Sequence, residues 1–187
     1  MIAIMGSLTD PLIARFALRL RDAFGLRTLV ETGTYRGVST RWAAEHFEQV
    51  ATIDIRGTDH PAAASHCAGL ANIAWNIGDS RHVLPPIVAD LAEPALFWLD
   101  AHAGPGLFGG IDDWPVFVEL LTITASPIRH YVLIDDAHCF ETGSPYLPTP
   151  RLREIGALVH DRGYVATVAH DTIAIVPDAA ALLLLEF

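Results

Sequence analysis

The stretch LVETGTYRGVST, residues 29–40, decides the fold. With Thr28 in front of it, TLVET reads as a short buried strand, and VSTRWAAEHF as the helix that follows. Glu31 to Gly37 then form the turn at the carboxyl end of that strand, and they bring a carboxylate, hydroxyls and two glycines to it. In open α/β sheets that is where ligands bind.

The same alternation continues on both sides. DPLIARFALRLRDAFG has Asp10 as a cap, Pro11 in the first turn, apolar residues at helical spacing and Gly25 as a stop, which predicts a first helix. After the helix that starts at Val38, VATIDI is a second strand; a shorter helix around Ala62–Leu70 leads to NIAWNIG, the third. SRHVLPPIVADLA is helical but broken by Pro85 and Pro86, and ALFWLDAH is the fourth strand. A glycine-rich loop, the helix PVFVELLTITA, the strand HYVLIDDAH and the helix PRLREIGALVHDRG follow. YVATVAHDTIAIVP reads as two strands joined at His170-Asp171. So short a link makes them antiparallel, because a parallel crossover needs a dozen residues or more. The expectation is a doubly wound, mostly parallel seven-stranded sheet with an antiparallel final hairpin and helices on both faces.

Composition bounds the rest. At 187 residues and 51% hydrophobic, with no linker, repeat or low-complexity segment, residues 1–187 are expected to form one domain. Within it, 1–27 carry the amino-terminal helix, 28–176 the core and 177–187 an apolar tail. All 12 basic residues are arginines, set against 22 carboxylates with no basic cluster, which argues against nucleic acid as a partner. The beginning shows no basic leader or cleavage site, and no apolar run approaches a membrane span, so a cytoplasmic protein without membrane contact is expected. Cys67 and Cys139 have no metal-type spacing and read as free thiols. The tail AAALLLLEF either packs on the domain as a short helix or contributes to a homodimer patch.

Three successive strands end in a carboxylate: Glu31, Asp54 and Asp79. Packing does not explain such a row, because buried or half-buried acids cost free energy without partners. Asp54 stands where an acid accepts hydrogen bonds from ribose hydroxyls, and Asp79 where an adenine edge is in reach. The glycine spacing, G-x-x-x-G from Gly33 to Gly37, is not that of dinucleotide binders, and by itself it also fits a tight turn with no ligand. Asp100 and His102 end the fourth strand and Asp135, Asp136 and His138 the fifth, which is its neighbour in a doubly wound sheet. Carboxylates that close raise each other's pKa unless a cation offsets them. Oxygen ligands suit Mg²⁺, Ca²⁺ or Mn²⁺, and the histidines leave iron or zinc open. The alternative is that the Asp-Asp pair caps the next turn and each histidine donates to a carboxylate.

These motifs resemble class I S-adenosylmethionine-dependent methyltransferases. ETGTYRGVST is similar to that family's glycine-rich first motif, ATIDI to its acidic second-strand motif and GDSRHVLP to the segment that flanks adenine. The resemblance spans residues 28–176. FWLDAH with VLIDDAH further resembles bacterial O-methyltransferases of the macrocin and mycinamicin type and the related cephalosporin hydroxylase-like proteins. The resemblance implies a Rossmann-like fold with S-adenosylmethionine bound at Glu31, Gly33, Gly37, Asp54, Asp79 and Ser80. It also implies magnesium at Asp100, Asp135 and Asp136, and methylation of a small-molecule acceptor.

Methyl transfer to oxygen needs a nucleophile relieved of its proton, by a metal or by a general base. His138 is the first choice of base because it follows the aspartate pair directly; His102 is the second, and Asp100 completes the catalytic group. The loops 103–115 and 139–150 lie where acceptor-binding lids lie. His46, His60, His66, His82, His130, His160 and His170 are scattered and read as surface or structural residues. Two other functions fit the same fold: a metal-dependent hydrolase or hydroxylase, and a nucleotide-binding module without turnover.

Overall fold

The computed structural model describes residues 7–55, 61–101, 115–141 and 152–187. Helix α1, Pro11–Phe24, begins where the Asp10 carboxylate accepts the Leu12 N–H at 2.9 Å and ends at Gly25, which has φ +64°. Strands and helices then alternate: β1 (Thr28–Thr32), α2 (Val38–His46), β2 (Gln49–Asp54), α3 (Pro61–His66), β3 (Ile73–Ile77), α4 (Ser80–Asp90) and β4 (Ala95–Leu99). There follow α5 (Val116–Thr124), β5 (Tyr131–Ile134), α6 (His138–Glu141), α7 (Leu152–His160), β6 (Tyr164–Ala169) and β7 (Thr172–Pro177). A 3-10 helix, Asp178–Glu186, follows β7, with Ala180 buried and Leu183 and Leu184 packed against the α1 side of the sheet.

The strands form one seven-stranded sheet in the order β3-β2-β1-β4-β5-β7-β6. All neighbours are parallel except β7, which runs antiparallel to both β5 and β6. This is the expected architecture, final hairpin included. The strand order reverses between β1 and β4, so the rim above the carboxyl ends of those two strands is the topological switch point, the place where such sheets bind ligands.

Both faces of the sheet are covered, which explains the near-continuous apolar strands. Val30, Phe97, Leu99, Val132 and Ile134 pack against α4, α5 and α7 on one face. Leu29, Leu96, Trp98 and Leu133 pack on the other against α1 and α2. Glu31 continues the Leu29 row and therefore projects, as a carboxylate, from the α1–α2 face.

One expectation fails in detail. Helix α4 runs unbroken from Ser80 to Asp90 through Pro85 and Pro86. Both prolines are exposed while Leu84 and Val88 anchor the buried side, so the carbonyls of Arg81 and His82 that lose their intrahelical donors lie toward solvent. No described helix is long and apolar enough to cross a membrane.

Candidate functional site

The glycines of the β1–α2 turn answer first to packing. Gly33 has φ +92°, and a Cβ there would lie 2.2 Å from the Asp100 carbonyl oxygen, so the turn presses against the end of β4. Gly37 has φ +73°, and its Cβ would meet Ala63 Cα and Cys67 Sγ at 3.1 Å. Both therefore need glycine with or without a ligand. Gly37 caps α2 with no side-chain hydrogen bond, and its own N–H bonds the Thr34 carbonyl at 2.8 Å.

Under this turn Glu31 is fully buried. Its Oε2 accepts from Thr40 Oγ1 at 2.5 Å and from Thr52 Oγ1 at 2.7 Å, tying β1 to α2 and to β2. Because Thr52 spends its hydrogen on Glu31, Thr34 is the donor in the 2.5 Å contact between the two threonine hydroxyls. Among the described residues Glu31 Oε1 is buried without a hydrogen-bond partner. Burial raises the Glu31 pKa, against the hydroxyls of Ser39, Thr40 and Thr52, which lower it. The threonine pattern carries no known motif, and nothing in the sequence alone pointed to it.

Asp54 ends β2 and accepts the Tyr35 N–H from the glycine turn at 2.9 Å. Around it three apolar side chains are solvent-facing: Tyr35 and Ile55 at 60% and Ile77, its partner on β3, at 62%. An apolar surface beside a carboxylate, at the carboxyl ends of parallel strands, is suited to a ligand with both hydroxyls and a flat ring. Asp79 lies one step further along. It caps α4 through the Arg81 N–H at 2.9 Å and pairs with the Arg81 guanidinium at 2.5 Å, which holds its carboxyl below the ordinary range. Ser80, beside it, is buried.

On the other side of the switch point, Asp100 follows β4 and Asp135 follows β5, where the Asp135 N–H bonds the Leu99 carbonyl at 3.1 Å. Asp135 is buried, and its Oδ1 accepts the Asp136 N–H at 2.8 Å. Among the described residues the compact donor group is Asp136, His138 and Asp171, with ligand atoms all within 4.8 Å; Asp100 and Asp135 fall outside it. His138 opens α6, and its Nδ1 meets the Asp171 carboxylate at 2.8 and 3.0 Å. In the sequence Asp171 reads only as part of a hairpin link; its place beside His138 depends on the β5–β7 pairing, which is not a local signal. Cys139 Sγ lies 3.4 Å from His138 Nε2. Burial, then the carboxylates of Asp136, Asp171 and Asp135, push the Cys139 thiol up. Cys67 and Cys139 are both free, as expected.

His102 and residues 103–114 and 142–150 of the two candidate lids lie outside the described residues. His130, expected to be structural, is buried at the opposite end of the sheet, where its Nδ1 accepts the Ala95 N–H at 3.2 Å.

No family model and no curated protein matches the sequence. Solved structures do match in shape. An O-methyltransferase from Bacillus cereus in complex with SAH aligns with 90% of this chain and 82% of its own, at TM-score 0.61 and 20% identity. The O-methyltransferase TomG from Streptomyces achromogenes, involved in tomaymycin synthesis and solved with SAM, covers 94% of this chain and 93% of its own, at 0.58 and 17%. The 23S rRNA methyltransferase ErmE aligns with 87% of this chain and 67% of its own, at 0.52 and 13%. Of these three names that of ErmE alone gives an acceptor, an rRNA, and the shared shape does not select one for this chain. The chain has the fold of the class I S-adenosylmethionine-dependent methyltransferases.

Proposed function

We propose that this chain is an S-adenosylmethionine-dependent methyltransferase that methylates a hydroxyl of a small molecule. The observation that carries the reading is the Asp54 carboxylate at the switch-point rim, bonded to the Gly33–Gly37 turn and flanked by exposed Ile55 and Ile77. That surface matches a nucleoside: the carboxylate accepts ribose hydroxyls and the apolar side chains cover the base. Glu31, fully buried beneath the same turn, acts on that ligand through the threonine bonds that hold β1, α2 and β2 together. The SAH and SAM in the two O-methyltransferase structures are ligands of this kind and support the choice.

S-adenosylmethionine supplies a methyl group on a sulfonium, and its sulfur keeps the electrons of the broken bond as a neutral thioether. The chain's own residues do the remainder. Gly33 and Gly37 bring the backbone close, Asp54 orients the ribose, and Asp79 with Ser80 borders the base. His138, 63% exposed, takes the acceptor's proton as the oxygen gains its methyl. Asp100, Asp135 and Asp136 would hold Mg²⁺, which keeps several waters and needs only one or two carboxylates, and which would lower the pKa of the acceptor hydroxyl. The acidic surface, with arginine as its only basic residue type, favours a small acceptor over RNA.

Calorimetric titration with S-adenosylmethionine and S-adenosylhomocysteine, in EDTA and then in Mg²⁺, tests the reading. Micromolar binding is expected in both, with a higher melting temperature and affinity in Mg²⁺. No binding in either sinks the methyltransferase; binding without any effect of Mg²⁺ removes the metal alone. The C-terminal 3-10 helix leaves Leu182 and Leu185 exposed, which is the surface a homodimer would use, and gel filtration with and without the final residues checks that part.

A further inference from the structure

We propose that Asp171, at the tip of the β6–β7 hairpin, is the positioning residue for His138: it fixes the ring hydrogen on Nδ1 and so leaves the lone pair on Nε2. The use of that atom rests on the methyl-transfer reading; the tautomer rests on the geometry.

The hairpin brings Asp171 to the site by register. Ile173 on β7 pairs with Ile134 at the end of β5, so the turn at His170-Asp171 stands beside the segment that leaves β5. Both turn residues have positive φ, 51° and 59°, the conformation of a tight two-residue hairpin whose twist matches its strands. Three contacts stitch the turn to that segment. The Ala137 N–H donates to the Asp171 carbonyl at 2.8 Å. The His138 N–H donates to Asp171 Oδ1 at 2.8 Å. His138 Nδ1 faces both carboxylate oxygens, at 3.0 and 2.8 Å.

An ionised carboxylate only accepts hydrogen bonds, so Nδ1 must be the donor and Nε2 must carry the lone pair in the neutral ring. A neighbour of Nε2 agrees with this: Cys139 Sγ, at 3.4 Å, is a thiol that can donate to it weakly. The burial of the pair is also ordered for the task. The Asp171 side chain is 12% exposed and that of His138 is 63% exposed, so the orienting group is held inside and the ring faces outward.

The test is long-range ¹H–¹⁵N spectroscopy of histidine-labelled protein in EDTA at alkaline pH, with His138→Gln to assign the ring. Wild type is expected to show Nδ1 bearing hydrogen and Nε2 without it. Asp171→Asn keeps an acceptor for the His138 N–H but offers an amide donor to Nδ1, so the hydrogen should move to Nε2. A wild-type ring with hydrogen on Nε2 overturns the proposal, as does an Asp171→Asn spectrum identical to wild type. Should that variant not fold, Asp171→Ser, which also retains an acceptor, takes its place. S-adenosylhomocysteine titration on the same samples keeps the readings apart: absent binding refutes methyl transfer and leaves the tautomer result standing.

Discussion

Thr52 Oγ1 donates to Glu31 Oε2 at 2.7 Å, between two residues that the β1–β2 register sets side by side. The bond holds a carboxyl in a place water does not reach, and burial raises its pKa above the ordinary 4.5. The folded state thus favours neutral Glu31, and the stability this contributes is full below the ordinary value and lost as pH rises through the folded one. Glu31→Gln, which is neutral at every pH, removes that dependence. Melting temperatures taken from about pH 4 to about pH 8 should show wild type losing ground against the variant as pH rises. A difference that stays constant over the range would mean that Glu31 is ionised in the fold.

Three glycines with positive φ differ in what surrounds them, and their alanine variants should rank accordingly. Gly25 has open space and φ +64°, so Gly25→Ala costs only the left-handed conformation, about 1–2 kcal/mol. Gly37→Ala adds contacts at 3.1 Å with Ala63 and Cys67 and should cost more than Gly25→Ala. Gly33→Ala places its Cβ 2.2 Å from backbone at Asp100, which cannot yield without moving β4, and a loss of more than about 4 kcal/mol is expected. Urea midpoints give the order; Gly33→Ala no worse than Gly25→Ala would mean that the turn is not seated against β4.

The strands, their pairing sense and the first helix were legible because each rests on local signals: Asp10, Pro11 and Gly25 as punctuation, and apolar runs buried on both faces. The rim carboxylates Asp54, Asp79 and Asp100 were legible for the same reason, since the end of an apolar run marks the end of a strand. What escaped depends on contacts distant in sequence. Thr40 and Thr52 meet at Glu31 only after α2 folds over the β1–β2 pair, and Asp171 reaches His138 only through the antiparallel pairing of β7 with β5. Pro85 and Pro86 misled because the pattern of prolines says nothing of which helix face meets water.

Acid should act on the far end of the sheet. Burial pushes the His130 imidazole down from 6.5 to about 4, so the folded state resists its protonation while the unfolded state does not. A base with a lowered folded pKa gives stability that is present above 6.5 and is lost as pH falls toward about 4. Wild type should therefore lose melting temperature over that window more steeply than His130→Gln. Parallel curves for the two proteins would refute it.

Asp54 and Asp79 both end at the rim, but their carboxylates are differently engaged, and ligand titration should separate them. Asp79 already accepts from the Arg81 backbone and guanidinium and caps α4, so Asp79→Ala is expected to cost about 1 kcal/mol of stability. Its effect on S-adenosylhomocysteine affinity should be the smaller of the two. Asp54 accepts the Tyr35 backbone N–H at 2.9 Å, and a charged acceptor of ribose hydroxyls contributes about 1.5–3 kcal/mol. Asp54→Ala should thus weaken the affinity about 10- to 100-fold. If Asp79→Ala weakened binding more than Asp54→Ala, the nucleoside would lie over α4 instead of over the β1–β2 rim.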